Sequence, residues 1–239
     1  MYINKYEWCE EIIAKQMHTL IAGCSGSGKS VAEHDILFTM LMQSPYKNCW
    51  LLIDTKKVEL VDFKNAPHCA KYTDDPREIP AILRRVEDVM DARFARMKAK
   101  GLKKTNEPTL WIVIDEFYDL MTLIDRRTVK TEVMPVLTRI ASAGRAAGVI
   151  LLVCTQRTTK DILDGMIAAN CTVKLGLATV SAQDSRNILG VNGCEKLPDY
   201  GKGILRINRN MKEIEIPYTK EEHIHDRIQA WHEMNWKAQ

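Results

Sequence analysis

The pattern of hydrophobic and polar positions along the chain predicts a sheet of buried strands separated by helices. Three apolar runs have strand length, CWLLI, LWIVI and GVILLVC, and TVKLGLA is a fourth strand candidate. These strands are apolar on both faces, which is typical of parallel strands covered on both sides. Residues 18–23 form a further predicted strand, and a helical pattern follows it. We therefore predict an α/β fold with a mostly parallel central sheet and helices on both faces.

The clearest predicted helix lies in the segment DDPREIPAILRRVEDVMDARFARMKAKG. Asp75 is its predicted N-cap, Pro76 suits the first helical position, and Glu78 completes a capping pattern. Apolar residues then recur at helical spacing until Gly101 ends the pattern. Another helix is predicted through VMPVLTRIASAG, with Pro135 near its start.

The C-terminal part of the chain predicts a β-hairpin followed by a helix. The segment GKGILRINRNMKEIEIPY has the hairpin pattern, with a turn predicted at Arg209 and Asn210. Thr219 and Glu222 have the spacing of a capping box at the start of the last helix.

The composition is that of a globular protein with one large domain. The sequence has no repeat, low-complexity stretch or convincing linker, so we predict one domain over residues 18–239 after a short N-terminal segment, residues 1–17. No apolar run approaches the ~20 residues of a membrane span, and no signal-peptide pattern is visible. Seven cysteines without Cys-x-x-Cys spacing favour a reducing compartment over a disulfide framework or zinc, so we expect a cytoplasmic protein.

Candidate chemistry is concentrated directly after the first predicted strand. The pattern Gly23-x4-Gly28-Lys29-Ser30 lies between a predicted strand and a predicted helix, the context of a phosphate-binding loop rather than of a flexible glycine turn. Lys29 would reach the β- and γ-phosphates, and the Ser30 hydroxyl would ligate Mg²⁺. The pattern therefore predicts a site for ATP and magnesium. Its predicted nucleotide-binding residues are Gly23, Cys24, Ser25, Gly26, Ser27, Gly28, Lys29, Ser30 and Val31.

Polar residues follow two of the other apolar strands. Asp115 and Glu116 end the run LWIVIDE, at the position where ligands bind in open α/β sheets. We predict that Asp115 holds the magnesium ion through a water, beside the Ser30 hydroxyl, and that Glu116 orients and activates the attacking water. Gln156 follows GVILLVCT, where a neutral amide can sense the γ-phosphate or position the attacking water. The alternative is an ordinary polar end of a strand.

Arg145, in the segment SAGRAAG, allows two interpretations. It is either an ordinary surface residue or an arginine finger that acts on the nucleotide of a neighbouring subunit. The residues alone do not choose between them.

Several segments together resemble the motor domain of the FtsK/SpoIIIE DNA translocases. They are HTLIAGCSGSGKSV, LLIDTKKVEL, IVIDEFYDLM, RIASAGRAAGVILLVCTQR, AANCTVKLGLATVSAQDSRNIL and CEKLPDYGKGIL. The resemblance runs from about His18 to about Trp231. It implies a RecA-like P-loop NTPase core with a C-terminal β-hairpin plus helix. It also implies a homo-oligomeric ring, usually a hexamer, around double-stranded DNA with ATP at the subunit interfaces.

The resemblance also assigns roles to residues. Lys29 and Ser30 fall on the nucleotide lysine and the magnesium serine. Asp115 and Glu116 fall on the acidic pair, and Gln156 falls on the sensor. Arg145 takes the position of the trans-acting finger. The residues expected at or near the DNA are Arg157, Lys160, Lys174 and Arg186, with an interface role equally open for Arg186.

The sequence departs from the family pattern in ways that weaken the expected DNA contacts. Ala168 stands where a lysine is expected before AN, and Ala182 and Gln183 stand where one is expected between VS and DSR. Each lost phosphate contact weakens binding to the DNA backbone. The family's membrane region and polarity-reading domain have no counterpart, so we expect a minimal motor of a mobile element, plasmid or phage.

The leading hypothesis is an ATP-driven translocase of double-stranded DNA. One alternative is a conjugative coupling or genome-packaging ATPase, and a relaxase, capsid or recombinase would then be the partner. Another is a nucleotide-switched module that assembles a ring but does not translocate.

Overall fold

The computed structural model of the protein describes residues 5–157 and 169–236. In this part of the chain, eight strands form one sheet. They are β1 (Thr19–Ala22), β2 (Asn48–Ile53), β3 (Cys69–Thr73), β4 (Thr109–Ile114), β5 (Val149–Thr155), β6 (Val173–Gly176), β7 (Lys202–Ile207) and β8 (Asn210–Glu215). Their order across the sheet is β3-β2-β4-β5-β1-β6-β7-β8. The pairs from β3 to β6 are parallel, and the last two pairs are antiparallel, which confirms the predicted mostly parallel sheet.

Helices cover both faces of this sheet. They are α1 (Glu7–Lys15), α2 (Lys29–Leu41), α3 (Ile79–Ala99), α4 (Phe117–Leu123), α5 (Arg126–Thr128), α6 (Met134–Ala143), α7 (Ala182–Leu189) and α8 (Glu221–Trp236). A π-helical turn, Val129–Val133, joins α5 to α6, and 3₁₀ turns lie at Val61–Phe63 and Cys194–Lys196. One hydrophobic core contains α1, α2 and α8, and the other contains α3, α4, α6 and α7.

The alternation of side chains along the strands explains why two cores form. In β2, Trp50 and Leu52 belong to one core, whereas Leu51 and Ile53 belong to the other. β4 and β5 alternate in the same way. Every residue of β4 and β5 is buried, which confirms the interpretation of their apolar runs as strands covered on both faces.

The start of helix α3 differs from the prediction. The helix begins at Ile79, and Glu78, rather than Asp75, is its N-cap residue. The Asp75 carboxylate accepts a hydrogen bond from the Arg77 N–H at 2.9 Å, so it closes a local turn before the helix. The first helical hydrogen bond runs from the Ile82 N–H to the Glu78 carbonyl at 3.0 Å.

The C-terminal elements form as predicted, but with two local differences. Ile207 pairs with Asn210, so the hairpin turn consists of Asn208 and Arg209, one residue earlier than predicted. Asn208 has a φ of 56°, a conformation that asparagine tolerates better than most residues.

The predicted capping box before α8 does not form, because its two side chains have other partners. The Thr219 hydroxyl donates to the Asp35 carboxylate at 2.6 Å, and Glu222 accepts from Lys220 at 3.1 Å. Thr219 therefore joins α8 to α2 instead of closing its own helix.

Several elements were not predicted from the sequence pattern, and β3 and α1 are two of them. Strand β3 lies at one edge of the sheet and leaves Ala70 and Lys71 exposed, so its pattern is not continuously apolar. Helix α1, within the predicted N-terminal segment, buries Trp8, Ile12 and Ile13 in the first core. Among the described residues, no helix is long and apolar enough to cross a membrane.

Candidate nucleotide site

The carboxyl ends of four adjacent parallel strands build the candidate site. β2, β4, β5 and β1 are neighbours in that order, so the residues that follow them meet at one edge of the sheet. We name this side the carboxyl edge. It carries the phosphate-loop pattern after β1, the acidic pair after β4, Gln156 after β5 and Asp54 after β2.

The phosphate-loop segment, residues 23–28, forms a tight loop between β1 and α2. Gly26 and Gly28 have φ values of 78° and 89°, which favour glycine. A Cβ atom on Gly23 would lie 2.6 Å from the Ser27 hydroxyl and 2.9 Å from Leu177 Cβ, so the loop has no space for a side chain there. The loop leads directly into the N-terminus of a 13-residue helix, which is an arrangement that binds phosphate.

The Lys29 side chain lies inside this loop. Its ammonium donates to the carbonyl of Gly23 at 3.1 Å and to the carbonyl of Cys24 at 2.7 Å. Lys29 is 8% exposed, and burial lowers its pKa. The loop backbone therefore holds the ammonium at the place where a phosphate-binding lysine is required.

Glu116 is held in a fixed position at the start of α4. Its carboxylate accepts the backbone N–H of Tyr118 at 3.3 Å, and both oxygens accept the N–H of Gln156 at 3.1 Å. The residue is 2% exposed. The predicted base is thus tied directly to the end of β5, where the predicted sensor lies. The Gln156 contact uses its backbone N–H, and its side chain is exposed.

Asp115 lies beside Glu116 and is almost completely buried. Burial raises the pKa of Asp115 to about 7, although the nearby Lys56 ammonium opposes this shift. The neighbouring carboxylates of Glu59, Asp54 and Glu116 raise it further. The Oδ2 atom of Asp115 has no hydrogen-bond partner and lies 3.8 Å from the Lys56 ammonium.

A third buried acid, Glu33, lies one helical turn after Ser30. It is fully buried, and the Cys154 thiol donates to its Oε1 atom at 3.4 Å, while Oε2 has no hydrogen-bond partner. Burial raises the pKa of Glu33, and the nearby Asp115 adds to the effect. Buried acids thus surround the strand ends with fewer hydrogen-bond donors than their oxygens require.

These residues fit a magnesium ion. Carboxylate and hydroxyl oxygens are the ligands that Mg²⁺ prefers, and the unpartnered Oδ2 of Asp115 lies at the same edge of the sheet as Ser30. Ser30 is in the first turn of α2 and is half-buried. Asp115 and Ser30 are the residues that would hold the ion.

Arg145 lies away from this edge. It is in the connection between α6 and β5, at the amino end of the strand, and its exposed guanidinium donates to the Lys15 carbonyl at 3.3 Å. β5 has seven residues, so about 20 Å of strand separates Arg145 from the carboxyl edge. Arg145 therefore cannot contact a nucleotide bound at the carboxyl edge of its own chain.

Of the residues predicted to lie at or near DNA, the structure describes three, and they lie in different elements. Arg157 lies at the carboxyl edge, with its guanidinium 4.1 Å from the centre of the Tyr118 ring. Arg186 is exposed on α7 and donates to Asn192 and Gln183. Lys174 is half-buried within β6, where burial lowers its pKa. Lys160, and Ala168 among the departures, lie outside the described residues.

The sequence interpretation missed Lys56, Asp54 and Glu33. The signal for the first two was the segment LLIDTKKVEL, in which a charged segment directly follows an apolar strand, as in LWIVIDE. Glu33 had a weaker signal, an acid at a helix position that the first apolar core covers.

Comparison with known proteins bears on the family and the fold of this chain. A sequence profile of the FtsK/SpoIIIE family matches residues 3–107. The DNA translocase FtsK of Sporosarcina ureae is 35% identical to this chain, and the match covers 77% of this chain and 26% of that protein. The chain thus spans about a quarter of the length of this relative.

Two solved structures are similar in fold. The conjugation coupling protein TcpA of pCW3, in a monomer form with ATPγS, superposes with a TM-score of 0.79 at 20% identity, over 91% of this chain and 66% of that one. The cytoplasmic domain of the type VII secretion ATPase EccC of Thermomonospora curvata gives a TM-score of 0.73 at 23% identity, over 89% of this chain and 27% of that one. At these identities the likeness concerns the fold, and it confirms the predicted RecA-like P-loop ATPase fold.

The sequence matches also confirm the family that the quoted segments indicated. Residues 3–107 match the FtsK/SpoIIIE family, and the sequence relatives of this chain include FtsK DNA translocases.

Proposed function

We propose that this protein hydrolyses ATP at the carboxyl edge and uses the reaction to translocate double-stranded DNA. The observation that carries the proposal is the meeting of the Lys29 loop with the buried, anchored carboxylate of Glu116 at one edge of the sheet. A phosphate cradle alone would support binding, whereas a positioned base beside it supports hydrolysis.

The residues divide the work of hydrolysis among them. The loop backbone and Lys29 bind the phosphates, and Glu116 accepts a proton from the attacking water at its carboxylate. Asp115 and Ser30 would hold a magnesium ion, which would supply positive charge beside the phosphates. The bond between Glu116 and the Gln156 N–H fixes the base against β5, whose continuation carries Arg157.

The proposed coupling to DNA follows from this connection. The Glu116 carboxylate accepts the backbone N–H of Gln156, the residue that directly follows β5. The resemblance places the segment after β5 against DNA. A change in that segment would therefore alter the position of the base, and a change at the base would alter the segment.

We also propose that the chain acts as a homo-oligomeric ring, with a hexamer as the expected size. Support comes from Arg145, which is exposed and far from its own nucleotide site. An arginine in this place contributes to hydrolysis only if it reaches the site of a neighbouring subunit.

The experiment is a measurement of ATP turnover with and without double-stranded DNA. We expect DNA to stimulate turnover several-fold, and the Lys29→Ala variant to be inactive in both conditions. Single-stranded DNA of matched length serves as the control. A turnover rate that ignores duplex DNA at low salt would contradict the translocase proposal.

A second candidate function is a nucleotide-switched assembly module. One observation favours it: Lys174 is half-buried in the sheet, and Ala182 and Gln183 begin α7 where basic residues would strengthen DNA binding. ATP-dependent assembly with flat turnover in the presence of DNA would support this module.

Conjugative transfer and genome packaging, with a relaxase, capsid or recombinase partner, stay predictions. The minimal motor of a mobile element also stays a prediction.

A further inference from the structure

Lys56 is the cation that contacts the acidic pair. Its ammonium lies 3.8 Å from Asp115 Oδ2 and 3.8 Å from Glu116 Oε2. Both carboxylates have side chains that are 3% exposed, whereas the Lys56 side chain is 28% exposed. Lys56 therefore reaches into the site from its rim and stands between solvent and the two acids.

A preformed turn places Lys56 there. The Asp54 carboxylate accepts the backbone N–H of Lys57 at 2.9 Å and that of Leu60 at 3.0 Å. Lys57 has a φ of 67°, so the chain reverses sharply after Lys56. Since Asp54 directly follows β2, and β2 pairs with β4, the turn holds Lys56 beside the acids that follow β4.

The charges around Lys56 are almost all negative. Burial acts to lower its pKa, but the surrounding carboxylates, with Asp115 and Glu116 the strongest, together outweigh burial and raise it. Asp119 and Glu59 act in the same direction. Lys29 does not share this role, because its ammonium donates to loop carbonyls instead. Among the described residues, Lys56 thus supplies the ion pairs of the acidic pair.

We propose that Lys56 is a resident counter-cation that Mg²⁺ must displace from Asp115. The inference rests on the proposed function in that it takes Asp115 as a magnesium ligand. Two cations beside one buried carboxylate repel each other strongly, even where a water lies between the ion and the oxygen. Lys56 is therefore a positioning residue that holds the acidic pair before nucleotide binds and weakens the binding of magnesium alone. Magnesium therefore binds well only together with the nucleotide, whose phosphates bring negative charge into the site.

The test compares Lys56→Met with Lys57→Met by thermal unfolding in a titration of magnesium chloride, without nucleotide or DNA. Lys57 is the matched control, since it belongs to the same turn and is exposed, and the substitution removes the same charge. A ligand that binds only the folded state raises the unfolding temperature according to its affinity. We expect Lys56→Met to be less stable than wild type in EDTA. We also expect its apparent affinity for magnesium to be at least about tenfold tighter than that of wild type. Lys57→Met should match wild type, and Lys56→Arg should restore weak magnesium binding.

Three results would overturn the proposal. An equal loss of stability with and without magnesium would mean that Lys56 only supports the fold. Weaker magnesium binding in Lys56→Met would mean that the ammonium assists the ion rather than competing with it. Loss of ATP affinity without loss of ADP affinity, with an unchanged magnesium response, would make Lys56 a γ-phosphate ligand instead.

The magnesium titration separates this proposal from the translocase proposal. It needs no turnover and no DNA, so the expected tightening can occur in a protein that does not translocate. Conversely, a DNA-stimulated ATPase whose Lys56→Met variant binds magnesium like wild type would keep its proposed function and lose this inference.

Discussion

The two ends of strands β2 and β4 share the same sheet but carry opposite kinds of polar chemistry. At the amino ends, a neutral network satisfies its members: Trp111 donates to Asn48 at 2.9 Å, Asn48 donates to Gln43 at 3.0 Å, and Gln16 donates to Thr109 at 2.6 Å. We name these residues the amino-edge network, and the side of the sheet where the parallel strands begin the amino edge. Among the described residues with unpartnered buried polar atoms, none belongs to it.

The carboxyl edge is the reverse. Glu33 and Asp115 each keep a buried oxygen without a hydrogen-bond partner, and so does the hydroxyl of Ser27 in the loop. Because the same two strands form both ends, the difference lies in the side chains that they carry. The difference indicates that the amino-edge network serves stability, whereas the carboxyl edge leaves polar groups available for a ligand.

The largest expected effect concerns Arg145, the residue at the amino edge to which we assign a catalytic role. Arg145→Ala should lower ATP turnover by about 10³- to 10⁵-fold, as expected for an arginine finger. If the arginine acts on a neighbour, a mixture of Arg145→Ala and Lys29→Ala subunits should regain activity, up to about a quarter of wild type for random mixing.

Turnover of the two variants alone and mixed, at constant total protein, measures this recovery. A mixture that stays as inactive as its components would contradict action in trans. It would also mean that no residue of the amino edge takes part in hydrolysis. The chemistry would then belong to the carboxyl edge alone.

Next in size is the effect of Glu116→Gln at the carboxyl edge. The amide keeps the shape of the side chain but cannot accept the proton, so turnover should fall by about 10²- to 10⁴-fold. ATP binding should remain, because the Lys29 loop is intact. Single-turnover hydrolysis and ATP binding at equilibrium check the two parts. Wild-type turnover in this variant would show that Glu116 is not the base.

Substitution in the amino-edge network should change stability and leave the chemistry alone. Asn48→Ala leaves the buried indole N–H of Trp111 without a partner, which should cost about 1–3 kcal/mol of unfolding free energy. Gln43→Ala is the control and should cost less, because Gln43 is only half-buried and water can replace it. Urea unfolding measures both. A variant Asn48→Ala as stable as wild type, or with altered ATP affinity, would break the assignment of this edge to stability.

The smallest expected effect comes from Asp35, a buried acid that belongs to neither edge. Burial raises the pKa of Asp35 from its ordinary 3.8 to about 7, although Thr219 donates to it. The folded state then binds more protons than the unfolded state between these values, so this carboxylate costs stability as pH rises through that window. Between about pH 5 and about pH 7, Asp35→Asn should gain on wild type by roughly 1 kcal/mol or more.

Urea unfolding of both proteins across this pH range gives the difference. Parallel stability curves would mean that Asp35 loses its proton as easily in the folded protein as in the unfolded chain. Asparagine keeps the oxygen that accepts from Thr219, so a general loss of stability is not expected.

Much of the carboxyl edge could be predicted from the sequence because its signals are local. The glycine pattern before Lys29 and the acidic pair after an apolar run each lie within a few residues. The strands were predictable because β4 and β5 are buried on both faces. The edge strand β3 gave no such signal, since water covers part of it.

The rest depended on contacts between distant segments. Lys56 and Asp115 are neighbours because β2 pairs with β4, although strand β3 and the long helix α3 lie between them in the sequence. Asp75 and Thr219 had the spacing of helix caps, but the Asp75 carboxylate accepts from the Arg77 N–H and the Thr219 hydroxyl donates to Asp35. The amino-edge network likewise joins residues that lie as far apart as Gln16 and Thr109.

The most direct test of the central claim, that ATP turnover at the carboxyl edge moves the protein along duplex DNA, is displacement of a third strand from a DNA triplex. We predict displacement by the wild-type protein with ATP and magnesium, and none by Glu116→Gln or with ATPγS. Displacement that is equal in wild type and Glu116→Gln, or its absence in a protein whose ATP turnover responds to duplex DNA, would contradict the claim.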